Sequence, residues 1–285
     1  MNNPFVFFGT SSFSVIILER LKEKGIVPSL IVTTPDQPKG RKLIMTPPPV
    51  KEWADKEKVS VIQPERLRDE IVASTLSNGN FTFFLTASYG KIIPQSILSI
   101  PPKGCLNIHP SLLPKYRGPS PIQYQLLANE ERVGTSIMLM DSEVDHGPIL
   151  AQKEISLERT EGELTLDYLA LEKKLAEESA TLFAETLPQY LKETILPRTQ
   201  DHAKATFTKM IEKKDGELNL ADNARENYRK YLAYFNWPGT YFFVKHEDKE
   251  MRVLIKKASF KNGVYVIERV LPEGKTERDY SENLF

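Results

Sequence analysis

The first hundred residues alternate between short apolar runs and amphipathic segments. "FVFFG" (5–9) is an unbroken apolar run of strand length, and "SFSVIILERLKEKG" (12–25) carries apolar positions at helical spacing before stopping at Gly25. "SLIVTT", "VSVIQP", "FTFFLTAS" and "GCLNIH" predict further strands, with helices over "WADKEK" and "LRDEIVASTLS" between them. Apolar strands separated by helices predict a Rossmann-like, doubly wound α/β fold with a mostly parallel sheet. Such sheets bind their ligands beyond the carboxyl ends of the strands.

After Gln123 the pattern changes. "VGTSIMLM" and "ILAQKEIS" predict strands flanking the loop "DSEVDHGP", and 164–193 predicts one long amphipathic helix. A polar, charged stretch from about 194 reads as a linker, so the chain divides into an N-terminal domain, 1–203, and a second domain, 204–285. In the latter, the helix "ARENYRKYLAYF", the turn "NWPGT" and the strand-like "YFFV", "RVLIKKASF" and "GVYVIERVL" predict a small β-rich unit.

The formal net charge is zero, so a nucleic-acid partner has to be met by a local basic patch and not by a global field. Cys105 is the single cysteine, which excludes an internal disulfide and fits a reducing compartment. The start "MNNPFVFFGTSSFS" has neither a basic leader nor a membrane-length apolar run, and a cytoplasmic chain is expected. "GTSSFS" is not the dinucleotide fingerprint G-x-G-x-x-G. Its Ser11, Ser12 and Ser14 either cap the following helix or face a substrate. With no P-loop, no G-x-S-x-G elbow and no Cys/His metal spacing, hydride transfer, NTP hydrolysis and zinc chemistry lose support.

The chemistry concentrates at "GCLNIHP". Residues two apart on a strand share a face, so Asn107 and His109 point the same way, and Pro110 ends the ladder. Asn supplies a neutral donor and His a donor or base near neutral pH, a pair suited to a developing oxyanion. A carboxylate to orient the imidazole is available in "DSEVDHG" as Asp141, Glu143 or Asp145, which spacing alone does not separate. Plainer readings stand beside these: a structural N-x-H, turn-forming aspartates, a packed Cys105, and His146, His202 and His246 as surface residues with no partner visible in sequence.

"NIHPSLLPKYRGPSPIQ" followed by "GTSIMLMDSEVDHGPILAQ" resembles the catalytic core of the 10-formyltetrahydrofolate-dependent formyltransferases. The resemblance implies Asn107, His109 and Asp145 as a catalytic triad, and Ser111, Leu112, Leu113 and Pro114 lying against the folate. Backbone groups around Tyr89, Gly90 and Lys91 would bracket the pterin, with the Lys91 side chain left to solvent. It also implies direct acyl transfer from 10-formyltetrahydrofolate to an amine, with no metal and no covalent enzyme intermediate. Asn107 and protonated His109 would stabilise the oxyanion while Asp145 holds the imidazole and helps move a proton.

The acceptor is read from "TTPDQPKGRKLIMTPPPVKEWA" (33–54), with Lys39, Arg41, Lys42, Lys51 and five prolines. Either it is a stiff solvated connection, or it lies along a nucleic-acid backbone with Lys and Arg on phosphates. It resembles the tRNA-binding loop of family members that formylate methionyl initiator tRNA, which implies Lys39, Arg41 and Lys42 as tRNA contacts. A nucleotide-amino-sugar acceptor and a non-catalytic RNA- or folate-binding module are the alternatives. The last residues resemble the family's OB-like barrel, but "RVLIKKASFKNGVYVIERVLPEGK" lacks a central hairpin, so an abridged barrel with a tight turn at "NG" is expected. A monomer without a membrane partner is expected.

Overall fold

The structure is a computed structural model that describes residues 3–40, 42–246 and 249–281. The chain divides into two compact units. One holds the residues up to Pro119 together with Gly134–Ile155 and Lys173–Phe207; the other holds Ser120–Val133, Ser156–Glu172 and the residues from Thr208 onward.

The first half of the chain runs β1 (Phe5–Gly9), α1 (Ser12–Glu23), β2 (Leu30–Val32), β3 (Gln37–Lys39), β4 (Ile44–Thr46), α2 (Pro49–Glu57), β5 (Val61–Ile62), α3 (Glu70–Asn78), β6 (Phe83–Ala87), α4 (Gln95–Leu98) and β7 (Cys105–His109). Then come α5 (Pro121–Leu127), β8 (Val133–Leu139), β9 (Ile149–Ile155), β10 (Arg159–Thr160), β11 (Glu163–Leu164) and the long α6 (Tyr168–Leu191). The chain closes with α7 (Ala224–Ala233), β12 (Tyr241–His246), β13 (Lys249–Lys261), β14 (Val264–Pro272) and β15 (Arg278–Asp279).

The main sheet has seven strands in the order β5-β2-β1-β6-β7-β8-β9. Pairing is parallel from β5 through β7, and β8 joins β7 antiparallel. The apolar strands are explained by burial on both faces. Val6, Phe8 and Phe84 pack with Leu76 of α3 and Ile97 of α4. On the neighbouring positions Phe83 stacks on Phe5 at 4.8 Å and meets Phe183 of α6 at 6.2 Å.

The second unit packs Tyr228, Tyr231 and Leu232 of α7 on Phe242, Val253, Ile255, Phe260 and Val270 of a four-stranded antiparallel sheet ordered β12-β13-β14-β15. Asn262 and Gly263, at φ +51° and +78°, form the two-residue turn between β13 and β14. Only a residue tolerant of positive φ serves there, which is why "NG" was legible as a hairpin. The Glu161 carboxylate accepts both turn N–H groups, from Asn262 at 2.8 Å and Gly263 at 2.9 Å.

Two stretches differ from the sequence expectation. The basic segment after β2 is not an open loop: β3 and β4 pair antiparallel as a small hairpin. Its prolines hid the pairing, because they depress strand propensity without forbidding an exposed two-strand ribbon. Within the polar segment after α6, Arg198 exchanges two 2.8 Å backbone hydrogen bonds with Ile149 at the start of β9. Backbone pairing leaves no hydrophobic period to read. Among the described residues no helix is long and apolar enough to cross a membrane.

Candidate active site

β7 ends at the sheet's carboxyl edge, clamped between β6, where Thr86 pairs with Asn107, and β8, where Ser136 pairs with His109. Asn107 and His109 are both buried and share a face, as strand alternation requires. The loop between β8 and β9 returns towards them through a turn that needs Gly147. A Cβ there would collide with the Leu139 carbonyl, so no other residue closes the loop.

That return delivers Asp145, at φ +48°, to the two strand residues. Asn107 Nδ2 donates to Asp145 Oδ1 at 3.2 Å, and His109 Nδ1 faces Asp145 Oδ2 at 3.5 Å. The Gly118 N–H donates to the same Oδ2 at 2.8 Å. His109 Nε2 lies 2.9 Å from the Tyr116 carbonyl oxygen, so this nitrogen carries a proton and donates it. An acceptor faces each ring nitrogen, and a ring protonated on both satisfies both.

The other two acids of the loop point elsewhere. Asp141 accepts the Glu143 N–H through Oδ1 and contacts His146 Nδ1 at 2.7 Å through Oδ2. Glu143 is exposed. His202 is exposed and His146 partly so, and both have partners that the sequence did not show. Their rings stack at 4.1 Å, and His202 Nδ1 accepts from Arg117 Nη2 at 2.9 Å. The stack and the Arg117 contact join residues far apart in sequence and left no local trace, whereas Asp141 lies in the same loop as His146. The side chain of His246 lies outside those described.

Of the residues expected against a folate, Ser111 and Leu113 are turned inward. The Ser111 hydroxyl donates to the Lys115 carbonyl, and the Leu113 N–H donates to Ser136 Oγ. Leu112 packs on Gly134, leaving Pro114 partly exposed. Tyr89 is likewise a core residue: its ring meets Phe8 edge-on at 5.5 Å, and burial pushes its phenol up to about 12. Its backbone carbonyl accepts from Thr10 Oγ1, and Gly90 beside it is exposed at φ +78°. Lys91 is not simply solvated. Its ammonium donates to the Pro64 and Glu65 carbonyls at 3.2 and 3.1 Å, and it borders a cavity of about 330 Å³ with Arg66, Leu67, Arg68 and Ile92.

Of "GTSSFS", Ser11 precedes α1 without capping it and donates to Ser88 Oγ, while Ser14 donates to the Ala87 carbonyl. These two serines tie the first turn to the end of β6 and neither side chain caps the helix; Ser14 is buried, while Ser11 is partly exposed and Ser12 exposed. Cys105 is packing: burial pushes its thiol up to about 12, and its S–H points at the Leu98 carbonyl. In the β3–β4 hairpin Lys39 and Lys42 are exposed, and so are Leu43, Ile44 and Met45. Lys51 instead sits on α2, 3.8 Å from Asp36. Arg41 lies outside the described residues.

A family model described as Formyl transferase matches residues 2–187. The chain belongs to the formyl transferase family. A relative named methionyl-tRNA formyltransferase, from Chloroflexus aurantiacus, is 45% identical over 240 residues, 84% of this chain and 75% of the relative. The fold is shared with the solved methionyl-tRNA formyltransferase from Clostridium thermocellum, at TM-score 0.62 and 17% identity, covering 95% of this chain and 99% of that one. It is also shared with HypX from Aquifex aeolicus in complex with tetrahydrofolic acid, at TM-score 0.65 and 16% identity, covering 96% of this chain and 45% of that one. Residues around Asp145 that sequence reasoning missed are Gly118 and Gln200, which donate to its carboxylate and its carbonyl, and Arg117, which donates to Gln200. Gln200 lies in the stretch read as linker, where nothing in the sequence marks it.

Proposed function

We propose that the chain transfers the formyl group of 10-formyltetrahydrofolate to the free amino group of methionyl initiator tRNA, with Asn107, His109 and Asp145 as the catalytic residues. The observation that carries the roles is the convergence of Asn107 and His109 on one carboxylate at the carboxyl edge of the sheet. For the acceptor, the support is similarity over most of the chain to relatives named for methionyl-tRNA, together with Lys39 and Lys42 on an exposed hairpin. We assign Arg41 the same contact on sequence grounds. Residues 204–285 would serve as the abridged OB-like tRNA-binding part.

The substrate amine attacks the formyl carbon, the carbonyl becomes a tetrahedral oxyanion, and the bond to the folate nitrogen then breaks as that nitrogen takes a proton. Asn107 keeps a second amide hydrogen, beyond the one on Asp145, to donate to the oxyanion. His109 supplies the other donor by exchanging the Tyr116 carbonyl for the formyl oxygen, while its Nδ1 stays with Asp145. Asp145 orients the ring and passes the amine proton towards the leaving nitrogen. The donor's ring system would lie along the backbone of Tyr89–Lys91 and at Pro114. Leu67, Ile92 and Pro94 line the adjoining cavity together with Arg66, Arg68 and Lys91 against the single acid Glu65, a net basic lining that favours an aromatic, anionic molecule.

A transfer assay tests this reading. Protein is mixed with 10-formyltetrahydrofolate and charged initiator methionyl-tRNA, with an amino-sugar nucleotide in a parallel tube. Formyl on the tRNA alone is expected. Formyl on the sugar alone would keep the triad and overturn the acceptor, and product in neither would leave a binding module without catalysis.

A further inference from the structure

Asp145 must hold a backbone conformation that L residues rarely adopt. What holds it lies outside its own loop. The buried Gln200 amide donates to the carbonyl of Asp145 at 2.9 Å and to that of Gly147 at 2.7 Å, spanning the turn. Its Oε1 in turn accepts Arg117 Nε at 3.2 Å and Nη2 at 2.8 Å. Arg117 is itself almost wholly buried, so its guanidinium is fixed and not a surface tether. The residues on either side of it complete the arrangement. Tyr116 offers its carbonyl to His109, and Gly118 offers its N–H to Asp145. Three consecutive residues therefore reach His109, Gln200 and Asp145.

We infer that Gln200, fixed by Arg117, is a positioning residue that aims the Asp145 carboxylate at His109 and Asn107. It touches no reacting atom; it acts through the backbone of Asp145. This rests on the formyl-transfer reading given above. The need for such a device follows from the geometry. The carboxylate contacts to Asn107 and His109, at 3.2 and 3.5 Å, are long, and the short one, from the Gly118 N–H at 2.8 Å, comes from the residue next to Arg117, while the Asp145 backbone is held by Gln200. A shift of about 1 Å in a catalytic group is enough to lose on the order of a hundredfold in rate.

Gln200→Glu separates aim from fold. The new carboxylate fills the same volume and still accepts from Arg117, but it presents oxygens to two carbonyls where the amide donated. Expected is a fall in kcat of about 10- to 100-fold with KM for both substrates held within about twofold, as for other residues that orient a catalytic side chain. The thermal midpoint should fall, because two buried carbonyls lose their donor, so kcat is compared per folded molecule below the transition of both proteins. Introduced into Asp145→Asn, the same change should cost little more, because residues acting as one unit are not additive. Equal losses in both backgrounds, or full activity in Gln200→Glu, would overturn the inference. A second measurement needs no turnover: in ¹⁵N-histidine spectra the His109 ring resonances should move in Gln200→Glu. Unmoved His109 resonances refute the clamp whatever the kinetics say. A wild-type chain that transfers no formyl to tRNA would instead refute the functional reading, leaving the spectra to decide the clamp.

Discussion

Asp145 and Glu163 are the instructive pair. Each is a carboxylate held by side chains distant in sequence, Asp145 partly buried in the first unit and Glu163 fully buried in the second. Glu163 is saturated. Arg229 grips it bidentately, Nε to Oε2 at 2.7 Å and Nη2 to Oε1 at 2.8 Å, and Arg225 Nη1 adds a third bond at 2.8 Å. Hydrogen bonding from Arg229, with Arg225 behind it, holds the Glu163 carboxyl below the usual carboxylate range. Around Asp145 the short contact is a backbone N–H at 2.8 Å, and the two side chains are longer, at 3.2 and 3.5 Å. A brace uses up its hydrogen-bonding capacity in short, charge-assisted pairs. The proposed site keeps donors that can be redirected, the second Asn107 N–H and the His109 Nε2–H.

The same isosteric change in both places should therefore have opposite consequences. Asp145→Asn is expected to lower single-turnover formylation roughly 10²- to 10⁴-fold, the range seen when the carboxylate orienting a catalytic imidazole is removed. Its denaturation midpoint should barely move. Glu163→Gln leaves two guanidinium groups facing one neutral amide. A fully buried broken pair costs about 3–5 kcal/mol. Arg225 is 43% exposed, so solvent screens part of this, and a loss on the order of 3 kcal/mol is expected. Turnover per folded molecule should be unchanged, read by urea denaturation alongside the formylation assay. If Asp145→Asn unfolded the chain, or Glu163→Gln slowed the chemistry, the distinction between brace and site would collapse.

The same pair explains what was legible in the sequence. Asn107 and His109 were readable because strand period is local: two residues apart on an apolar run ended by proline can only share a face. Strands β1, β2, β5, β6 and β7 were readable on the same grounds, and the Asn262–Gly263 turn on its positive-φ residues. Which acid joins the pair was not readable from spacing. Asp141, Glu143 and Asp145 differ only in how their loop is folded, and that fold depends on Gln200, fifty-five residues on. Resemblance had to choose among them. Glu163, likewise, is an ordinary residue in "EGELTL" until α7 brings two arginines against it. The partners of His202, Arg117 and His146, were hidden for the same reason. Polar networks are assembled by tertiary structure, and their members carry no period.

The smallest expected effect is the dependence of that brace on pH. Because the Glu163 pKa is lowered in the folded chain, its pairing contributes full stability above the unfolded carboxyl value of about 4.3. That contribution is lost as pH falls through the lower folded value, where the carboxyl binds a proton and the guanidinium pairing weakens. Thermal midpoints of the unaltered chain and Glu163→Gln should thus be well separated near neutrality and draw together as the pH is taken below about 4. Taking the difference between the two proteins removes the other depressed carboxyls, such as Glu57, Glu193 and Glu268, which titrate in both. Glu161 moves in the same direction for a different cause, the two N–H groups of Asn262 and Gly263. Glu161→Gln, being exposed, should show a fainter version of the same convergence. A gap that stays constant from neutral to acid pH would mean that shape, and not charge, joins Glu163 to its arginines.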